Sequence, residues 1–179
     1  MMKPGDTFTG IIISVLLFSF LILMKSSTSA QIFVEEGLER GVDAIIATSG
    51  LGGPGVSSID FDQDGDDDLT LGNNGTVFFY QNNEGQFQLI DLGIETPPGE
   101  IRGVMWTDIN NDGNLDLLIS SYNGEIRLYK NIGELEFEDI TESCGISNDV
   151  ASNWGISFSD INRDGYVDLQ LCRYRDWFT

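Results

Sequence analysis

The stretch DFDQDGDDDL, residues 60–69, places six carboxylates in ten residues. Like charges packed this closely repel one another, so the cluster needs a reason to exist. The same pattern returns twice without gaps, as DINNDGNLDL from Asp108 and DINRDGYVDL from Asp160. The three starts lie 48 and 52 residues apart. Positions 1, 5 and 9 are Asp in every copy, position 6 is Gly and position 10 is Leu. Position 3 is Asp62, Asn110 or Asn162, while positions 4, 7 and 8 vary. A period near fifty residues marks an array of similar supersecondary units.

Oxygens at positions 1, 3 and 5 of a tight loop converge on one point. Glycine at position 6 permits the sharp turn, and the carbonyl of position 7 adds a further oxygen. Hard cations such as calcium take about six to eight oxygens in this manner. A carboxylate at position 9 completes such a shell. The variable columns agree. Position 7 is Asp66, Asn114 or Tyr166, as a backbone-only ligand permits, and position 2 is Phe61, Ile109 or Ile161, as an inward side chain requires. The competing reading is a solvated acidic face with Asx turns, which three matching ligand columns disfavour. EF-hands are excluded. They need Glu at position 12 and flanking helices, but position 12 is Leu71, Ile119 or Leu171. Loop one carries four Asp in its ligand columns against three Asp and one Asn in the others, which predicts a different affinity there. Asp67 stands where the other copies have Leu115 and Val167. Either it faces solvent or the first unit is irregular at that point.

The flanking segments repeat as well. NNGTVFFYQNNEGQF follows the first loop and YNGEIRLYKNIGELEF the second, each continuing to Gly-Ile at residues 93–94 and 145–146. Asn-Gly between alternating segments signals a hairpin. TVFFYQ and EIRLYK therefore read as strands, with further strands around IRGVMWTD and NWGISFSD. Four short strands per unit is a propeller-blade pattern. The expected fold is all-β, a partial β-propeller of about three blades. FVEEGL, residues 33–38, resembles the FEDITE that ends the second unit and is expected to supply the last strand of a blade begun elsewhere. Trp106 and Trp154 precede the loops as expected core residues, and TPPG (96–99) and GGPG (52–55) read as blade connections. Three units are too few to close a ring of four to eight blades. The expected explanation is a fragment of a longer protein, the alternative being completion by another subunit.

Residues 1–30 read as a signal peptide. A start carrying Lys3 leads into an apolar core, Ile11 to Met24, and then KSSTSA with small residues at 28 and 30. The core is short for an uncleaved anchor, which needs about 20 residues. Residues 31–179 form the repeat region. Without Lys3, Lys25 and Asp6 its formal charge is −21 rather than −20. Such acidity excludes nucleic acid, whose phosphates need Lys and Arg, and argues against anionic membranes, leaving no membrane contact beyond the signal segment. Hydrophobic residues at 41% and aromatics at 11% favour folding over disorder. With no histidine, Ser-His-Asp and Cys-His catalysis and His-ligated metals are excluded. Cys144 and Cys172 are left open as a disulfide or as two buried thiols.

DxDxDGxxDL after a Gly-containing strand such as WGISFSD resembles the FG-GAP or VCBS repeat of integrin α-subunit propellers. LYKNIGELEFEDITESCGI and NWGISFSDINRDGYVDL are similar to the subgroup that accompanies ASPIC/UnbV domains, the cartilage acidic protein-like subgroup. The resemblance covers nearly all of residues 33–179. It implies a secreted or extracytoplasmic protein whose full family fold is a seven-bladed propeller, with calcium in loops on one face. Matching positions make the ligands Asp60, Asp62, Asp64 and Asp68 with the carbonyl of Asp66. They make Asp108, Asn110, Asp112 and Asp116 with the carbonyl of Asn114 the second set. The third is Asp160, Asn162, Asp164 and Asp168 with the carbonyl of Tyr166. That gives up to three calcium sites. Too few repeats and no ASPIC/UnbV segment follow, so nothing tied to that domain carries over.

The expected function is a non-catalytic, calcium-binding extracellular module that binds a protein or carbohydrate ligand in adhesion. The alternative is the propeller part of a larger extracellular enzyme, such as a polysaccharide lyase or phospholipase. Paired carboxylates can act on glycosides, but each clustered Asp here is better explained as a ligand.

Overall fold

The computed structural model describes residues 34–46, 53–122, 125–146 and 152–174, with backbone alone at 152–154 and 173–174. Residues 1–30, read as the signal peptide, and the side chain of Trp154 lie outside what is described. Among the described residues no helix is long and apolar enough to cross a membrane.

The body from Glu36 onward is all-β. Strands β1 (Val56–Ile59), β2 (Asp68–Gly72), β3 (Val77–Asn83) and β4 (Gln86–Ile90) form an antiparallel meander in chain order. Strands β5 (Ile101–Thr107), β6 (Asp116–Ser121), β7 (Ile126–Asn131) and β8 (Phe137–Asp139) form a second meander of the same order. Strands β9 (Ser152–Ser159) and β10 (Asp168–Tyr174) pair as the start of a third. These are the repeats read from the sequence, and each acidic loop joins the first two strands of its sheet. Among the described residues the sheets do not close on one another, so the fold is a partial β-propeller.

The blades pack face to face, and the second is buried on both sides. Side chains alternate across a strand. Leu117 and Ile119 of β6 therefore enter a core shared with Phe61, Val77 and Phe79 of blade one. Leu118 between them joins Ile126 and Leu128 against Ile156, Phe158, Leu169 and Leu171 of blade three. All six residues of β6 are buried, which is why DLLISS lacks the apolar–polar alternation of a half-exposed strand. Close approach also fixes Gly103, beside a bulge in β5. A Cβ there would stand 2.7 Å from Ile156 Cδ1 and 2.6 Å from Ser120 Oγ.

Position 2 of each acidic loop reports this stacking. Phe61 is 1% exposed and stacks on Trp106 of blade two, with ring centroids 5.0 Å apart. Ile109 packs into the core shared with blade three. Ile161 has no following blade among the described residues and is 62% exposed. Trp106 is the core residue expected; it also meets Phe79 and Phe137 edge-on.

The segment before blade one behaves as the end of a repeat, though not as expected in detail. Among the described residues FVEEGL contributes no strand. What recurs is the turn after it. Arg40, Gly41 and Val42 donate their N–H groups to Glu36, Leu38 and Gly37; Cys144, Gly145 and Ile146 donate likewise to Ile140, Glu142 and Thr141. The spacings are the same, so residues 36–42 are the counterpart of residues 140–146. A strand needs a neighbour to hydrogen-bond with, whereas this turn closes on itself.

The third strand of a blade then holds the linker that enters it. Tyr80 donates its hydroxyl to Asp43 Oδ1 at 3.2 Å, and Tyr129 donates to the carbonyl of Glu95. Asp43 and Glu95 each lie two residues after a positive-φ glycine, Gly41 and Gly93.

Candidate metal centre

The three acidic loops share one backbone conformation. Position 4 is left-handed in each, with φ of 62° at Gln63, 61° at Asn111 and 63° at Arg163. The glycine of position 6 follows with φ of 105°, 89° and 89°, which any side chain would strain.

The position-1 carboxylate anchors each loop by accepting two backbone N–H groups. Asp60 accepts from Asp64 and Gly65, both at 3.0 Å. Asp108 accepts from Asp112 at 3.2 Å and Gly113 at 2.9 Å, and Asp160 from Asp164 and Gly165 at 3.1 and 3.0 Å. Position 3 caps the same turn: Asp62, Asn110 and Asn162 each accept from the N–H of position 5. Position 5 accepts from the N–H of position 7 at 2.9 Å in all three copies.

Position 9 ties each loop to its blade. Asp68 is fully buried and accepts from Phe61 N–H at 2.9 Å and from Asn82 N–H of β3 at 2.8 Å. Asp116 is equally buried and accepts from Ile109 and Asn131 at the same distances. Asp168 accepts from Ile161 at 2.9 Å. Burial pushes the Asp68 and Asp116 carboxyls up, against the lowering by those backbone donors.

The loops differ in how far their oxygens converge. In loop one, Asp60, Asp62 and Asp68 each offer an oxygen within 4.8 Å of the others, the only such acidic trio among the described residues. A cation about 2.3–2.6 Å from each ligand tolerates oxygen separations up to about 5 Å. The donor set is all hard oxygen, and a carboxylate has about four lone-pair sites, so backbone bonding leaves capacity for an ion. The residues present fit calcium. Asp64 stands outside this trio. In loops two and three an amide takes part: Asn110 and Asn162 donate to Oδ2 of Asp112 and Asp164 at 2.9 and 3.0 Å.

Residues outside the decapeptides also reach the loops. Gln81 of β3 donates to Asp62 Oδ2. One residue after the matching tyrosine of β7, Lys130 places its ammonium 3.9 Å from Asp112 Oδ2. The Asn114 N–H first, then the Asn110 amide, hold the Asp112 carboxyl below its ordinary value, and Lys130 adds to this. Asn82 and Asn131 donate to the carbonyls of Asp67 and Leu115 and accept from Gly85 and Gly133, pinning loop to hairpin. Their signal was present in the FYQN and LYKN of the repeats. The Asp66 side chain accepts from Glu84 N–H at 2.8 Å. Asp67 is exposed while the β1–β2 register stays regular, so it faces solvent. Cys144 and Cys172 are separate, exposed thiols, neither paired nor buried.

A family model described as FG-GAP-like repeat matches residues 60–119 and, overlapping, 108–169. Cartilage acidic protein 1 of Xenopus tropicalis is 32% identical over 87 residues, covering 49% of this chain and 13% of that protein. Cartilage acidic protein 1 of Homo sapiens is 31% identical over 117 residues, covering 58% of this chain and 18% of that protein. The chain thus spans less than a fifth of the length of either relative.

Proposed function

Because this chain belongs to the FG-GAP-like repeat family, we propose that it is a non-catalytic, calcium-binding segment of an extracellular propeller that serves adhesion to a protein or carbohydrate. The observation that carries this reading is the acidic loop built three times in one backbone conformation, with Asp60, Asp62 and Asp68 converging in the first. In this reading Asp60, Asp62, Asp64 and Asp68 hold calcium with the carbonyl of Asp66. Asp108, Asn110, Asp112 and Asp116 do so with the carbonyl of Asn114, and Asp160, Asn162, Asp164 and Asp168 with that of Tyr166. The ion supplies positive charge where clustered carboxylates otherwise repel.

Ligand docking follows from rigidity. The acidic loops lie side by side at one end of the stacked blades, bridged by side chains. The β3–β4 hairpin comes to the same end, where Glu84 N–H meets Asp66. Calcium fixes this surface before a partner arrives and so lowers the ordering cost of binding. A chain without histidine, whose acidic clusters are committed to loop and strand bonding, supports a non-catalytic role. The sequence of residues 1–30, read as a signal peptide, supports secretion.

The test is a thermal melt of the full chain in calcium and in chelator, followed by binding to a glycan and extracellular-protein array under both conditions. Calcium should raise the melting temperature, and array binding should need calcium. An unchanged melt together with chelator-insensitive array binding overturns the reading.

A further inference from the structure

Neighbouring acidic loops are joined by one hydrogen bond that recurs at each junction. Gln63, position 4 of loop one, donates Nε2–H to the carbonyl of Gly113 in loop two at 2.6 Å. Asn111, position 4 of loop two, donates Nδ2–H to the carbonyl of Gly165 in loop three at 2.8 Å. Donor and acceptor lie 50 and 54 residues apart in sequence. They occupy the same two loop positions, 4 and 6, at both junctions.

The accepting carbonyl belongs to a peptide unit that also serves the next loop. The C=O of Gly113 and the N–H of Asn114 share one planar amide. That N–H donates to Oδ1 of Asp112 at 2.9 Å. The chain of contacts runs from the Gln63 amide, through the 113–114 peptide, to the carboxylate of Asp112. In loop three it runs from Asn111, through the 165–166 peptide, to Asp164, again at 2.9 Å. A carbonyl that accepts a hydrogen bond makes the N–H of its own amide a stronger donor, so bonds in such a chain reinforce one another. The donors are themselves oriented by the preceding loop, since their left-handed backbone lies between its ligand positions 3 and 5.

We propose that Gln63 and Asn111 are positioning residues for the calcium loop of the following blade, so that filling one loop raises the affinity of its neighbour. This rests on the calcium reading above. Closing loop one on an ion fixes the backbone of Gln63. Its amide then holds the 113–114 peptide, and with it Asp112, in place for the second ion. By linkage the coupling is reciprocal.

The position-6 glycine amides give a site-by-site readout, because each donates to the position-1 carboxylate of its own loop. Calcium titration of the full chain, followed by the amide resonances of Gly65, Gly113 and Gly165, compares wild type with Gln63→Met, which keeps side-chain length without the donor. Gln63→Met should move the Gly113 midpoint to higher calcium by about twofold to tenfold, the worth of one net hydrogen bond, and the Gly65 midpoint by less. Asn111→Leu should move Gly165 more than Gly113. Gln63→Asn, the residue loop two uses at this position, should restore the wild-type order. In chelator, Gln63→Met should also move the Asn114 amide resonance upfield as its bond to Asp112 weakens. Equal displacement of all three midpoints would indicate a general loss of stability and overturn the proposal. So would midpoints that stay where they are. If no glycine resonance responds to calcium in wild type, the calcium reading fails and takes this coupling with it.

Discussion

Trp106 Nε1 donates a 2.9 Å hydrogen bond to Thr70 Oγ1 between blades one and two, and both residues are buried. The indole thereby joins two sheets with one polar bond inside an aromatic cluster of Phe61, Phe79 and Phe137. Trp106→Ala should destabilise the fold by about 3–5 kcal/mol through lost burial and the cavity left behind. Thr70→Val keeps the shape but strands the indole N–H, and should cost about 1–3 kcal/mol. Urea unfolding of the two variants checks the order.

Tyr129 should titrate far outside the usual phenol range. Burial first, then the charge of Asp139, pushes it from 10.0 to about 12. The raised folded value means that its contribution to stability is full below pH 10 and is lost as pH rises through about 12. An ultraviolet phenolate titration of the folded chain should contain a late component that Tyr129→Phe removes. The same variant frees the Glu95 linker and should increase amide exchange at residues near 95.

Asp139 governs the acid side of blade two. Burial raises its carboxyl, but the Thr141 hydroxyl and N–H, with Arg127, outweigh burial and hold it below 3.8. Arg127 Nη1 donates to Asp139 at 3.2 Å and Thr141 N–H at 2.9 Å. A depressed folded value gives stability that is present above the ordinary carboxyl range and is lost as pH falls through the folded value. Asp139→Asn should therefore be less stable than wild type at neutral pH, and the difference should vanish in strong acid. Paired melts across that range measure it.

Lys130 should weaken calcium binding at loop two. Its ammonium stands 3.9 Å from Asp112 Oδ2, where blade one presents the neutral Gln81 to its own loop. Lys130→Gln should raise the calcium affinity of loop two, most visibly at low salt where surface charge is least screened. The Gly113 amide resonance reports that affinity.

The acidic loops and the four-strand blades were legible because a repeated ligand column or hairpin leaves identical letters in every copy. The inward turn of position 2 was equally readable at Phe61 and Ile109 from their apolarity, whereas the equally apolar Ile161 is exposed, with no following blade among the described residues to receive it. Position 4 looked free because Gln63, Asn111 and Arg163 share no letter, only side-chain N–H donors. Its partners at Gly113 and Gly165 are backbone carbonyls, which carry no sequence signal. The Tyr129–Glu95 latch was hidden for the same reason. The described residues of FVEEGL, 34–38, form no strand, which shows the limit of likeness between segments: the letters resemble a repeat end, but a strand also needs a neighbour.

Calcium binding by the acidic loops is measured by isothermal titration calorimetry of the chelator-stripped full chain. Saturable heat with up to three ions per chain is expected, with loss of one of them in Asp60→Asn/Asp62→Asn. No heat on adding calcium, with the same melting temperature in calcium and in chelator, would contradict it.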